Sequence, residues 1–70
     1  MGEFMNITIN GRKESFSEVM NIAQLLAFKG INASRVVVEH NFRILHRQEW
    51  PEAILKESDS VEIISFMGGG

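Results

Sequence analysis

The chain ends Ile64-Ser65-Phe66-Met67-Gly68-Gly69-Gly70, and this stretch holds its most chemically suggestive group, the carboxylate at Gly70. Glycines lack Cβ atoms and can thread a channel too narrow for other residues. Such an end brings a bare carboxylate next to a nucleotide bound by another protein. Once adenylated, that carboxylate is an activated acyl group open to a sulfur or nitrogen nucleophile. The chemistry then belongs to the partner, and this chain supplies the acyl group. Gly68, Gly69 and Gly70 contribute little to a core, so residues 67–70 are expected to form a flexible tail.

Other reactive residue types are sparse. Cysteine is absent, which leaves neither a thiol nucleophile nor a disulfide framework. His40 and His46 have no carboxylate at recognisable metal-ligand spacing, so they read as surface or hydrogen-bonded histidines. Acid–base catalysis needs carboxylates paired in a desolvated cleft. Here Glu14, Glu18, Glu39, Glu49, Glu52, Glu57, Asp59 and Glu62 are scattered and read as a solvated acidic face. Asp59, just before an apolar run, has the further reading of a turn residue that bonds nearby backbone amides. Trp50 reads as a plug at the open end of a sheet. No enzyme site and no cofactor bound by the chain is expected.

The elements that must position the tail follow from periodicity. Met5, Ile7 and Ile9 alternate with Asn6, Thr8 and Asn10, the pattern of a half-buried strand. Asn10-Gly11 tolerates the positive φ of a tight hairpin turn. A second strand is expected through Lys13 to Val19, with Phe16 buried. Asn21 and Gln24 form a capping-box pattern ahead of Ile22, Leu25 and Leu26. Phe28 and the leucines are expected in the core, and Gly30 ends the helix. Val36-Val37-Val38 reads as a strand covered on both faces, Asn41-Phe42 as a turn, and Arg43-Ile44-Leu45 as the returning strand. Pro51 precludes a long helix after it, with Trp50 and Ile54 as apolar anchors. In the last strand, Val61 and Ile63 face the helix, while Glu62, Ile64 and Phe66 face away. Ile64, Phe66 and Met67, an apolar cluster beside the tail, are the expected partner-docking residues.

This order of elements suits an α+β β-grasp: a mixed four- to five-stranded sheet with one main helix across one face. Seventy residues make one domain at the small end of what folds unaided. Residues 5–66 are expected to be that domain, and residues 1–4 a cloning scar, because Met5 opens a natural-looking start and Glu-Phe is what a common cloning site encodes. Seven basic against nine acidic residues, with pI ≈ 5.6, count against a nucleic-acid partner. No apolar run approaches the roughly 20 residues of a membrane helix. The expected setting is the cytoplasm, and the expected free state a monomer.

Several segments together resemble the ubiquitin-like sulfur carriers, and most closely the ThiS family of thiamine biosynthesis. They are "MNITING" at the start, "VVVEHNFRILHRQEW" with its Arg47-x-x-Trp50 close, "SDSVEIISF", and the final "GGG". Two positions depart from the family pattern: His46, where proline is common, and Ser58, where glycine is common. The resemblance implies a cycle. A ubiquitin-activating (E1-like) adenylyltransferase uses Mg-ATP to adenylate Gly70. A cysteine desulfurase or sulfide source converts the adenylate to a thiocarboxylate, and thiazole synthase takes the sulfur for the thiazole ring. The alternatives are a molybdopterin-type sulfur carrier, a ubiquitin-like modifier captured by lysine, and a β-grasp interaction or RNA-binding module with an idle tail.

Overall fold

A computed structural model describes residues 4–66. Met1–Glu3 and Met67–Gly70, which include most of the expected cloning scar and all of the glycine tail, lie outside the described residues. Strands β1 (Met5–Ile9) and β2 (Arg12–Phe16) form the first hairpin, followed by helix α1 (Ile22–Phe28). A 3₁₀ turn at Ala33–Arg35 leads into the second hairpin, β3 (Val36–His40) and β4 (Arg43–Leu45). A 3₁₀ segment, Arg47–Glu52, and an extended run then reach β5 (Ser60–Ser65). The sheet order is β2-β1-β5-β3-β4, with β5 parallel to β1 and antiparallel to β3. This is the expected β-grasp with five strands and one main helix.

Both hairpins turn on two residues with positive φ, Asn10 (52°) with Gly11 (82°) and Asn41 (52°) with Phe42 (69°). Such turns match the right-handed twist of their strands. The helix begins as its sequence indicates. The Asn21 side chain accepts from Gln24 N at 2.8 Å, and the Gln24 side chain accepts from Asn21 N at 2.9 Å. Gly30, at φ +71°, follows the last turn in the left-handed conformation that ends helices. Ile22, Leu25 and Leu26 are buried against Ile7, Ile9, Val38 and Val61, with Trp50 and Leu55 completing the core. Trp50 has the expected apolar role, but its indole Nε1 is buried without a hydrogen-bond partner among the described residues. The Arg47 guanidinium lies 5.8 Å from the centre of the Trp50 ring, which gives the Arg-x-x-Trp spacing a physical meaning.

The packing corrects five expectations. Strand β2 stops at Phe16, because its partner Met5 is the first residue of β1, and Val19 beyond it is exposed. Phe28 is 70% exposed and touches the core only edge-on, its ring 5.9 Å from that of Phe16. The anchor after Pro51 is Leu55 (2% exposed), while Ile54 is 45% exposed. Backbone pairing of Ile54 with Asn21, and the bond from Leu55 N to Met20 O, turn Leu55 inward. In β3, Val36 and Val38 are buried and Val37 is only half-buried, so one face of this strand is open. Asp59 is a buried carboxylate, unlike the solvated acids expected around it.

Candidate functional site

Strand β5 immediately precedes residues 66–70 in the sequence, and its environment defines the candidate site. Its neighbours hold it on both edges. Thr8 N donates to Asp59 O and Asn10 N to Val61 O on the β1 side. On the other side β3 pairs from Val36 opposite Ser65 to His40 opposite Val61. The Asn10 side chain extends the β1 edge beyond the turn, accepting from Ile63 N at 2.7 Å and donating to Ile63 O at 3.2 Å. Phe66 N donates to Arg35 O at 3.0 Å, so pairing continues to the last described residue. The sequence marks Asn10 as a turn residue, and only the register reveals this second task.

The start of β5 is clasped by side chains. Asp59 Oδ2 accepts from Lys56 N at 2.9 Å and lies 2.7 Å from His40 Nε2, while Asp59 Oδ1 accepts from Asn41 Nδ2 at 3.1 Å. The Asn41 side-chain Oδ1 accepts from Ser60 N at 2.8 Å. Burial pushes the Asp59 carboxyl up, but the bonds from His40, Asn41 and the Lys56 amide, with the attraction of His40, outweigh it and hold the group below its ordinary value. Ser58, just before the clasp, has φ +71°, a conformation that glycine adopts without strain. Glycine at this position would carry no such strain. As expected, His40 is hydrogen-bonded and Asp59 bonds a turn amide.

Alternation places Ile64 (47% exposed) and Phe66 (52% exposed) on the sheet face away from α1. Val37 lies directly opposite Ile64 on β3, and Glu39 lies opposite both Glu62 on β5 and Ile44 on β4. The open face thus carries Val37, Ile64 and Phe66 as an apolar patch, with Glu39 and Glu62 side by side next to it and Ile44 on the far side of Glu39. The sequence reading missed Val37 and Ile44. The parity of the two-residue turn at Asn41-Phe42 is the signal that identifies them. Like charges directly opposite each other destabilise a sheet, which makes the Glu39–Glu62 pair a feature of the surface rather than of the fold. Met67, Gly68, Gly69 and Gly70 lie outside the described residues.

Among the described residues, no group of three or more His, Cys, Asp or Glu side chains is placed to hold a metal ion. No helix among them is long and apolar enough to cross a membrane. What the described residues offer is a mixed apolar and acidic face at the end of β5.

Comparison with known proteins gives a consistent result. The chain is 39% identical to the crystal structure of a thiamine biosynthesis protein (ThiS) from Geobacter metallireducens, with a TM-score of 0.80 over 94% of this chain and 100% of that one. A solution structure of a thiamine biosynthesis protein from the same organism gives 35% identity and a TM-score of 0.79, covering 94% and 88% of the two chains. A thiazole synthase of Paramagnetospirillum magneticum is 33% identical over 66 residues, which are 94% of this chain and 20% of that protein. The chain thus spans about a fifth of the length of this relative. The ycf40 protein of Trieres chinensis is 31% identical over 62 residues, 89% of this chain and 85% of that protein. The ThiS family model matches residues 1–70, and the chain belongs to the ThiS family.

Proposed function

We propose that this chain is a sulfur carrier of thiamine biosynthesis whose working group is the Gly70 carboxylate. The observation that carries the reading is that the family match runs through residues 68–70 rather than stopping at the folded core. In the proposed cycle a carboxylate oxygen of Gly70 attacks the α-phosphorus of Mg-ATP bound to an E1-like adenylyltransferase, and pyrophosphate leaves. Sulfide then attacks the acyl carbon and AMP leaves, which gives the thiocarboxylate directly. A persulfide on a cysteine desulfurase or other donor instead gives an acyl disulfide as AMP leaves, and a thiol then cleaves its S–S bond, releasing the thiocarboxylate and leaving a disulfide with the donor sulfur. The resulting thiocarboxylate hands its sulfur to thiazole synthase. The chain itself is a co-substrate and not the enzyme, and it works in the cytoplasm as a free monomer.

The geometry supports this reading in two ways. Strand β5 is hydrogen-bonded through Phe66, so Met67–Gly70 depart from a fixed point. Gly69 and Gly70 then carry the transfer, and Gly68 adds reach. Ile64 and Phe66 with Val37 and Ile44 offer an apolar face to the partner enzymes, and Met67 is proposed as a further docking residue. The adjacent Glu39 and Glu62 call for a basic residue on the partner, which would relieve their repulsion.

The absence of cysteine makes the test clean, because a thiocarboxylate would be the chain's only thiol-like group. The protein is incubated with the adenylyltransferase, sulfur donor and ATP, alkylated, and weighed intact. The expected result is one ATP-dependent adduct mapping to Gly70. It should be absent after deletion of Gly69-Gly70 and formed at least tenfold more slowly by Ile64→Asp/Phe66→Asp, which is about 1.4 kcal/mol of lost docking. No adduct while an established carrier is converted, or an isopeptide to lysine instead, overturns the reading.

A further inference from the structure

The turn of the second hairpin carries a residue that its geometry does not favour. Both two-residue turns need positive φ at each position, and the first meets that demand with Asn10 and Gly11. The second sets Phe42, at φ +69°, where the first has glycine. A bulky side chain in the left-handed region is strained, and strain of this kind collects at functional sites. The ring gains nothing from the fold in return. Phe42 is 83% exposed, the most exposed large apolar residue among those described, and takes no part in the core cluster. The turn that carries it is held firmly all the same. Asn41 N donates to Ser60 O at 2.7 Å, and the Asn41 side chain bonds both Ser60 N and Asp59 Oδ1.

We propose that Phe42 is a preorganised anchor that enters an apolar pocket on thiazole synthase, with Arg43 meeting a carboxylate at the mouth of that pocket. Protein interfaces draw most of their affinity from a few large side chains seated in dry pockets, and aromatic residues are enriched among them. A side chain fixed in place before binding also loses less entropy on docking. The charge beside Phe42 selects the chemistry of its partner. Arg43 is 70% exposed, and its ion pair with Glu49 is a loose 3.9 Å, which leaves the guanidinium available to a second carboxylate. One such cation on a chain of net charge −2, with Glu39 two residues before the turn, does not suit an anionic lipid surface. The anchor is also continuous with the docking face already described. From Val37 to Asn41 the β3 strand covers about 13 Å, with Glu39, Glu62 and Ile44 in between. A partner seated on Ile64 and Phe66 can therefore reach Phe42 within an interface of about 800 Å² per side. Among the proposed partners, thiazole synthase is favoured because its Paramagnetospirillum magneticum relative holds a segment matching this chain within its own polypeptide.

The inference rests on the proposed function for the identity of the partner, and its experiment separates the two. Binding of the unaltered chain to purified thiazole synthase is measured by isothermal titration calorimetry, alongside the Tm of the free chain. Phe42→Gly should raise Tm by about 2–8 °C as the strain is released, yet weaken binding at least about tenfold. Phe42→Tyr keeps the ring and should bind within about threefold of the unaltered chain. Arg43→Glu should weaken binding and reduce its dependence on salt. Equal affinity of Phe42→Gly and the unaltered chain overturns the anchor and leaves the proposed function standing. No binding by the unaltered chain overturns both. Sedimentation of the free chain as a dimer that Phe42→Gly dissolves overturns the assignment to thiazole synthase, and gives the anchor to a second copy of this chain.

Discussion

Replacing Asp59 tests whether the clasp at the start of β5 holds the sheet together. Its carboxylate takes part in three contacts, at 2.7 Å from His40, 2.9 Å from Lys56 N and 3.1 Å from Asn41. A hydrogen bond to a charged group contributes about 1.5–3 kcal/mol and a neutral one about 0.5–1.5. Asp59→Asn keeps one oxygen acceptor but loses the charge, and an amide now faces donors. The expected cost is about 1.5–2 kcal/mol, against a total of about 3–5 kcal/mol for a domain of this size. Urea unfolding followed by the fluorescence of Trp50, the single tryptophan, should show it. With a slope of about 1 kcal/mol per molar urea, the midpoint falls by about 1.5–2 M. The pH dependence has a definite sign. The folded-state value of Asp59 lies below its ordinary 3.8. Its stabilisation is therefore complete above that pH and is lost as pH falls through the lowered value. Asp59→Asn should remove this part of the acid limb. A variant within about 0.5 kcal/mol of the parent, with a superimposable acid limb, would refute the argument.

Three further substitutions check the packing. Ser58→Gly relieves the left-handed backbone at φ +71° and should gain about 0.5–1 kcal/mol after the larger unfolded-state entropy of glycine is counted, seen as a rise of about 2–8 °C in Tm. Leu55→Ala empties a fully buried site and should cost about 2–5 kcal/mol in urea unfolding, whereas Ile54→Ala, half in solvent, should cost less than about 1 kcal/mol; equal losses at the two positions would contradict the inward turn of Leu55.

Patterns with a local physical cause were legible in the sequence. The alternation from Met5 to Ile9, the Asn10-Gly11 turn and the Asn21–Gln24 box each follow from neighbouring residues, and each occurs in the structure. Phe28 was misread because helical spacing alone placed it with Leu25, while at the last position of the helix it meets only the edge of the Phe16 ring. Val37 was misread because three successive valines carry no alternation, and only the pairing with Ile64 and the turn at Asn41-Phe42 assigns their faces. Leu55 and Ile54 are adjacent and alike in chemistry, so their choice waits on a bond to Met20, 35 positions upstream. The clasp was hidden for the same reason. His40, Asn41, Lys56 and Asp59 come together only when β3 lies beside β5. For the candidate site, Ile64 and Phe66 were visible from the parity of one strand, and Val37, Ile44 and the facing Glu39 and Glu62 required three.

The position of β5 has a consequence for how the molecule comes to exist. Until Ser60–Ser65 take their place, β1–β2 and β3–β4 are two hairpins with no strand joining them. The bond that closes the sheet pairs Thr8 with Ser60, a loop of about fifty residues whose ordering must precede most of its reward. Assembly is therefore governed by the placement of Ser60–Ser65, and a chain interrupted before Ser60 has no route to a completed core. The same strand leads directly to the glycine end, so the act that finishes the fold is also the act that sets the point of departure for Met67. A partner that reads the open face around Ile64 would thereby engage only finished molecules, with no separate device needed to reject incomplete ones.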